Sequence, residues 1–208
     1  GEEGGGGGGG KGGGGGGGGK GGGEGREWTD HGGGGGSVFE RWEPTVAPVA
    51  VHPLGEDGAV GAPPCDTLAT AMGAHAIQTD PSNQFAFVPH IARFNDNVLE
   101  PLRESVGPNM IVQLKFDAQA GRLSPNPPRP VAPSTRRGPR HYCFHPALPV
   151  VYFSNEQGCS VTAYRLDPTT GTLTAFQTLT TLPNGYTARN TCSQIHLTAS
   201  GQFLYVGN

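Results

Sequence analysis

Three segments of this chain follow one pattern: a short strand, a turn built from Pro, Ser, Asn or Gly, then a strand of aromatic and β-branched residues. They are residues 77–88 (IQTDPSNQFAFV), 143–153 (CFHPALPVVYF) and 195–206 (IHLTASGQFLYV). Pro81 to Pro146 is 65 residues, and Pro146 to the matching Ala199 is 53. A second motif runs in step with the first. Ile111–Asp117 leads through a turn to Gly121, and Val161–Asp167 leads to Gly171, 50 residues later. Alternating side chains on both sides of an Asp-x-x-x-Gly turn predict a hairpin. Residues 49–60 read as a weaker copy of it.

Four short strands per repeat of about 50 residues is the pattern of a β-propeller blade. The predicted fold is therefore all-β, a partial propeller of about three blades of four-stranded antiparallel sheet over residues 46–208. Rings need roughly four to eight blades, and the last repeat reads as half a blade. The expectation is a piece of a ring about twice as long, self-associating through open sheet edges when isolated. Residues 92–106, with Leu99, Leu102 and Val106, read as an insertion able to form one short helix.

Composition divides the chain in two. Of 37 glycines, 25 lie in residues 1–36. Residues 1–45 have too few apolar side chains to offset ordering entropy, so this segment is expected to be disordered and low in complexity. It lacks the Arg-Gly-Gly or aromatic interleaving of nucleic-acid-binding tails. Net charge is −3 and the pI about 6.2, which argues against a nucleic-acid or membrane-surface partner. No apolar run is long enough to span a bilayer. Cys65, Cys143, Cys159 and Cys192 form no Cys-x-x-Cys pair and read as reduced, mostly buried thiols.

Gly138-Pro139-Arg140-His141 places a cation and an imidazole at one end of a predicted strand pair, and Asn155-Glu156 places a carboxylate at the other. Arg129, Arg136, Arg137 and Arg140 make a local basic cluster, better suited to one small anion than to a polyanion. A water, a base to deprotonate it and positive groups for a developing oxyanion are what ester hydrolysis requires. Glu156 or a histidine would be the base, and an arginine can grip a carboxylate or phosphate in bidentate fashion. No Gly-x-Ser-x-Gly nucleophile elbow is present.

The ordered set Gly-Pro-Arg-His (138–141), Phe-His-Pro (144–146), Asn-Glu (155–156), Ser-Val-Thr-Ala-Tyr-Arg (160–165) and Gln-Ile-His-Leu-Thr (194–198) resembles the lactonase family of seven-bladed propellers, the class of 6-phosphogluconolactonase and carboxymuconate cyclase. The resemblance covers residues 75–208 closely and 46–73 loosely, and does not reach 1–45. It implies a catalytic group of His75, Arg140 and Glu156 at the mouth of the central channel, with a further arginine beyond Asn208. It also implies a small sugar-acid lactone as substrate, no cofactor, a cytoplasmic location (plastid if a transit peptide has been lost) and a monomeric parent protein. His141 and Asn155 are the expected substrate contacts.

Each residue also has a plainer reading. Arg140 and Glu156 could simply form a salt bridge between loops, and His75 could cap a turn. His145 holds the turn position that Asp80 holds in another repeat, so a structural role is expected. His196 reads as a buried strand histidine. His141, Cys143 and His145 alternate on one strand and form a candidate zinc trio, but Pro146 closes the strand, and no metal is expected. Three functions remain: hydrolysis of a phosphorylated sugar lactone, a carboxymuconate-type lactonizing cycloisomerase, and a non-catalytic binding scaffold.

Overall fold

A computed structural model describes residues 47–91, 109–127, 130–133 and 137–208. The Gly-rich segment, the expected short helix within 92–106, and Arg129 and Arg136 lie outside these residues. The described residues contain twelve strands and no helix. Two four-stranded antiparallel sheets run in simple chain order. The first holds β3 (Gln78–Thr79), β4 (Phe85–His90), β5 (Met110–Asp117) and β6 (Arg122–Pro125). The second holds β7 (Pro139–Phe144), β8 (Val150–Asn155), β9 (Ser160–Leu166) and β10 (Leu173–Thr180). Two-stranded sheets flank them: β1 (Ala47–Val51) with β2 (Asp66–Thr70), and β11 (Ile195–Leu197) with β12 (Leu204–Val206). Two full blades and two half-blades make the expected partial propeller.

The hairpin expected over residues 49–60 is corrected. β1 pairs with β2, from Ala47 opposite Thr70 to Val51 opposite Asp66. Pro53 has no N–H to continue a ladder, so residues 54–60 close only a single bridge between Leu54 and Val60.

Chemically different side chains hold equivalent turns. Asp80 Oδ1 accepts from the N–H groups of Gln84 and Phe85 at 2.9 and 2.7 Å. One blade on, His145 Nδ1 accepts from Ala147 and Leu148 at 3.1 and 3.0 Å, and in the next, Thr198 Oγ1 accepts from Phe203 at 3.2 Å. The structural role expected for His145 is the one observed. The Asp-x-x-x-Gly hairpins behave alike: the Oδ1 atoms of Asp117 and Asp167 cap their own turns, and Gly121 and Gly171 take φ of 62° and 68°, where glycine escapes the Cβ penalty.

Blades pack through two apolar clusters. Val49, Leu68, Val88 and Leu114 join the first half-blade to the first full blade. Phe87, Ile111, Tyr142, Phe153 and Tyr164 join the two full blades, with the Tyr142 and Phe153 rings stacked at 4.7 Å. A Cβ on Gly171 would overlap the Phe85 ring of the preceding blade. All four cysteines are free thiols, and Cys65 is exposed rather than buried. No described helix is long and apolar enough to cross a membrane.

Candidate active site

A repeated irregularity builds the site. In the second blade Pro139 pairs with Asn155 but Tyr142 pairs with Phe153, so β7 carries one extra residue at Arg140–His141. The first blade has the same surplus: Ala74 bridges His90 while Gln78 pairs with Phe87. In the third, Ser193 N–H bonds Gly207 O and Gly207 N–H bonds Gln194 O, ahead of the Ile195–Val206 pair. A bulge leaves two residues facing one and re-aims their side chains. The three bulges present His75, Arg140 and Ser193 at equivalent places on successive inner strands, at the end opposite the Asp80 and His145 turns.

Arg140 is the hub. Its Nε lies 2.6 Å from Glu156 Oε2, but the N–H is not aligned for a hydrogen bond, so this attraction is ionic. Its Nη1 donates to Ser193 Oγ at 2.8 Å and to His141 Nδ1 at 2.9 Å. The bulge permits that last bond, since neighbouring side chains on a regular strand point apart. Because His141 Nδ1 accepts, the ring proton of the neutral imidazole sits on Nε2. Glu156 is set by its backbone: its N–H bonds Gly138 O at 2.8 Å, and Gly158 N–H bonds Arg137 O at 3.1 Å. Arg140 and Glu156 keep 26 % and 19 % of their side-chain surface exposed, enough to meet a ligand.

His75 completes the group. Desolvation lowers its pKa below the usual 6.5, the Arg140 guanidinium lowers it further, and Glu156 pulls the other way. His141 is likewise lowered, first by desolvation and then by Arg140, against a hydrogen bond to the Ser193 backbone. Both imidazoles are neutral at pH 7. Tyr142 latches the two blades. Its hydroxyl accepts from Gln78 N–H at 2.6 Å and lies 2.7 Å from the carbonyls of Gln78 and Phe87. That bond fixes the strand after His75 against the strand after Arg140. His90, fully buried next to His75, has its pKa driven down to about 4, chiefly by desolvation.

The family model for the lactonase, a seven-bladed β-propeller, matches residues 47–208. The chain belongs to the lactonase family. It is 31 % identical over 160 residues to the 6-phosphogluconolactonase of Pectobacterium carotovorum, covering 77 % of this chain and 43 % of that protein. To the 6-phosphogluconolactonase of Bacillus subtilis it is 29 % identical, with the same coverage. The chain thus spans less than half the length of these curated relatives. In fold it resembles the periplasmic gluconolactonase of Pseudomonas aeruginosa, with a TM-score of 0.62 at 24 % identity, covering 76 % of this chain and 42 % of that one.

Within this lactonase chain, His75, Arg140, His141 and Glu156 come together. Asn155 does not join them. It has no exposed surface, and its amide donates to Ser160 Oγ at 3.1 Å and Thr162 Oγ1 at 2.9 Å, so the expected sugar contact gives way to a role inside the blade. The basic cluster divides: Arg137 Nη1 bonds Thr178 Oγ1 at 2.7 Å within its own blade. His196 is exposed, not buried; Ile195 takes the inward place on that short strand. The zinc trio does not assemble, because His141 Nδ1 faces Arg140 and His145 Nδ1 caps a turn. Ser193 is the contact that residue-by-residue reasoning missed. The repeat spacing held the signal, since Ser193 lies 53 residues after Arg140 as Ala199 lies 53 after Pro146.

The two ends of the lactonase sheets differ in charge. Glu56, Asp57, Asp66, Asp80, Asp117 and Asp167 all lie at the turn end. Among the described residues, the bulge end carries Glu156 as its one acid, against Arg137, Arg140 and Arg189. Among the described residues this end is therefore net positive, and net positive charge attracts anions by long-range steering.

Proposed function

We propose that this end of the propeller hydrolyses a sugar-acid lactone carrying an anionic group, with 6-phosphogluconolactone as the preferred substrate. The observation that carries the reading is the Arg140 hub, buttressed by Glu156, His141 and Ser193, with a neutral imidazole beside it. His75 is the base: it accepts a proton from water as the oxygen attacks the lactone carbonyl. The oxyanion that forms faces the Arg140 guanidinium, already oriented, so little reorganisation is needed in the transition state. Collapse breaks the ring C–O bond, the ring oxygen takes the proton back from His75, and an open-chain acid leaves. Glu156 keeps the guanidinium in place, and His141 braces its other side.

The experiment uses the full product of the gene, following acid release from 6-phosphogluconolactone above the spontaneous rate. The expected outcome is one acid equivalent per lactone, with one oxygen from solvent water. His75→Asn should lower kcat by about 10²–10⁴, the usual worth of a general base. In the unsubstituted protein, kcat/KM should fall as pH drops through a value below 6.5, where His75 gains its proton. Conversion of a muconate lactone to an isomer without solvent oxygen would replace this reading by the cycloisomerase. Unchanged turnover in both His75→Asn and Glu156→Gln would remove the site assignment.

A further inference from the structure

Arg140 holds most of its donors against protein groups. A guanidinium has five N–H groups. Both on Nη1 are committed, to Ser193 Oγ and His141 Nδ1, and Nε stands against Glu156. No adjacent pair of nitrogens remains free for a bidentate grip, so Arg140 offers a substrate only its Nη2 face. That suits one carbonyl oxygen and does not suit a phosphate, which binds tightly through forked contacts. The bidentate role expected of this arginine is therefore not available in this arrangement. Arg137 commits its Nη1 to Thr178 and Thr162 within its own blade.

The third described arginine at this end is Arg189. It is exposed and has no hydrogen bond or ion pair among the described residues. Its loop, residues 181–194, runs from β10 to β11 and is pinned to the Glu156 turn at three points. Thr181 N–H bonds Cys159 O at 2.9 Å, Cys192 N–H bonds Glu156 O at 3.3 Å, and Cys159 Sγ donates to Asn190 O at 3.0 Å. Arg189 thus adjoins an anchored residue in a loop held against the Glu156 turn, and within residues 181–194 there is no acid to neutralise it.

We propose that Arg189 is the specificity residue of this site, binding the phosphate of a phosphorylated lactone while Arg140 serves the reacting carbonyl. The inference rests on the hydrolase reading above, but its test separates the two. The full gene product and its Arg189→Ala and Arg189→Lys variants are assayed on 6-phosphogluconolactone and on unphosphorylated gluconolactone, with spontaneous hydrolysis subtracted. Binding of the products, 6-phosphogluconate and gluconate, is measured in parallel.

Arg189→Ala should lower the phosphorylated-to-unphosphorylated ratio of kcat/KM by at least about tenfold, through KM, as loss of a charge-assisted hydrogen bond implies. Arg189→Lys should restore part of it, because charge without the fork still attracts phosphate. The discrimination should also shrink as salt is raised. If both lactones are hydrolysed and the ratio is the same in all three proteins, the Arg189 assignment is overturned and the hydrolase reading survives. If neither lactone is hydrolysed but 6-phosphogluconate binding still depends on Arg189, the hydrolase reading falls and the phosphate site stands. Absence of both effects overturns both.

Discussion

The inner hairpins of the two complete blades share a backbone and differ in what they carry. At the turn end, Asp80 and His145 are unlike in charge and shape, yet each accepts backbone N–H bonds from its own turn: Asp80 from Ser82, Gln84 and Phe85, His145 from Ala147 and Leu148. At the bulge end the equivalent pairs diverge in purpose. His75 matches Arg140, and Ile91, with 3 % of its surface exposed, matches Glu156. One end is held to a task that several side chains can perform, so its chemistry is free to vary. The other end varies because each blade contributes a different group to one shared site.

Exchanging the last of these pairs gives the sharpest break. Glu156→Ile should leave the melting temperature nearly unchanged while lactone turnover falls by about 10²-fold or more, since an unanchored guanidinium no longer faces the oxyanion. The reverse change, Ile91→Glu, should destabilise the protein by at least about 3 kcal/mol, because a carboxylate would be buried where Ile91 packs. Thermal denaturation and activity, measured on both variants, check the pair. Equal effects would show that the blades are not specialised in this way.

A smaller effect is expected where one blade meets the next. Gly171→Ala combines a left-handed φ with overlap of the Phe85 ring, and should cost about 2–4 kcal/mol. Gly185→Ala has φ of 79° but open space around the added methyl, and should cost about 1 kcal/mol. Denaturant midpoints would order the two.

The turns give the mildest comparison. Asp80→Ala should cost about 2 kcal/mol and His145→Ala about 1 kcal/mol, as a charged cap is stronger than a neutral one. Desolvation works to raise the Asp80 pKa, but bonds from Ser82, Phe85 and Gln84 outweigh it and leave the pKa below the usual 3.8. The charged Asp80 therefore contributes its full stability above pH 3.8. Its advantage over Asp80→Ala should vanish as pH falls through the lower folded value, as unfolding curves taken across that range would show.

Much of the architecture was legible because its causes are local. Alternation in Ile111–Asp117 and Val161–Asp167 and the glycines at 121 and 171 specify hairpins without reference to anything distant. That His75, Arg140 and Glu156 lie together was an expectation from motif resemblance, and the structure brings the three side chains to one place. What escaped depends on partners far along the chain. A bulge leaves no mark on the alternation of so short a strand, so the pairing of Arg140 with its neighbour His141 was hidden, and so was the contact with Ser193. Asn155 looked accessible at a strand end, yet the adjacent blade and Thr162 bury it. His196 looked buried by analogy, yet β11 is only three residues long and gives its inward place to Ile195. The break at Pro53 moved the partner of β1 from residues 55–60 to residues 66–70.

Gly171 has one more implication. The missing side chain on its hairpin is a notch, and Phe85 of the blade before it is the tooth that fits. Apolar burial alone is non-directional and does not specify which blade sits beside which. A notch and tooth, together with the Tyr142 latch, give this junction an address, by which the second blade fits the first. Grafting or shuffling blades from related propellers would then succeed or fail by whether the tooth meets its notch, a rule that can be applied from sequence before any chimera is made.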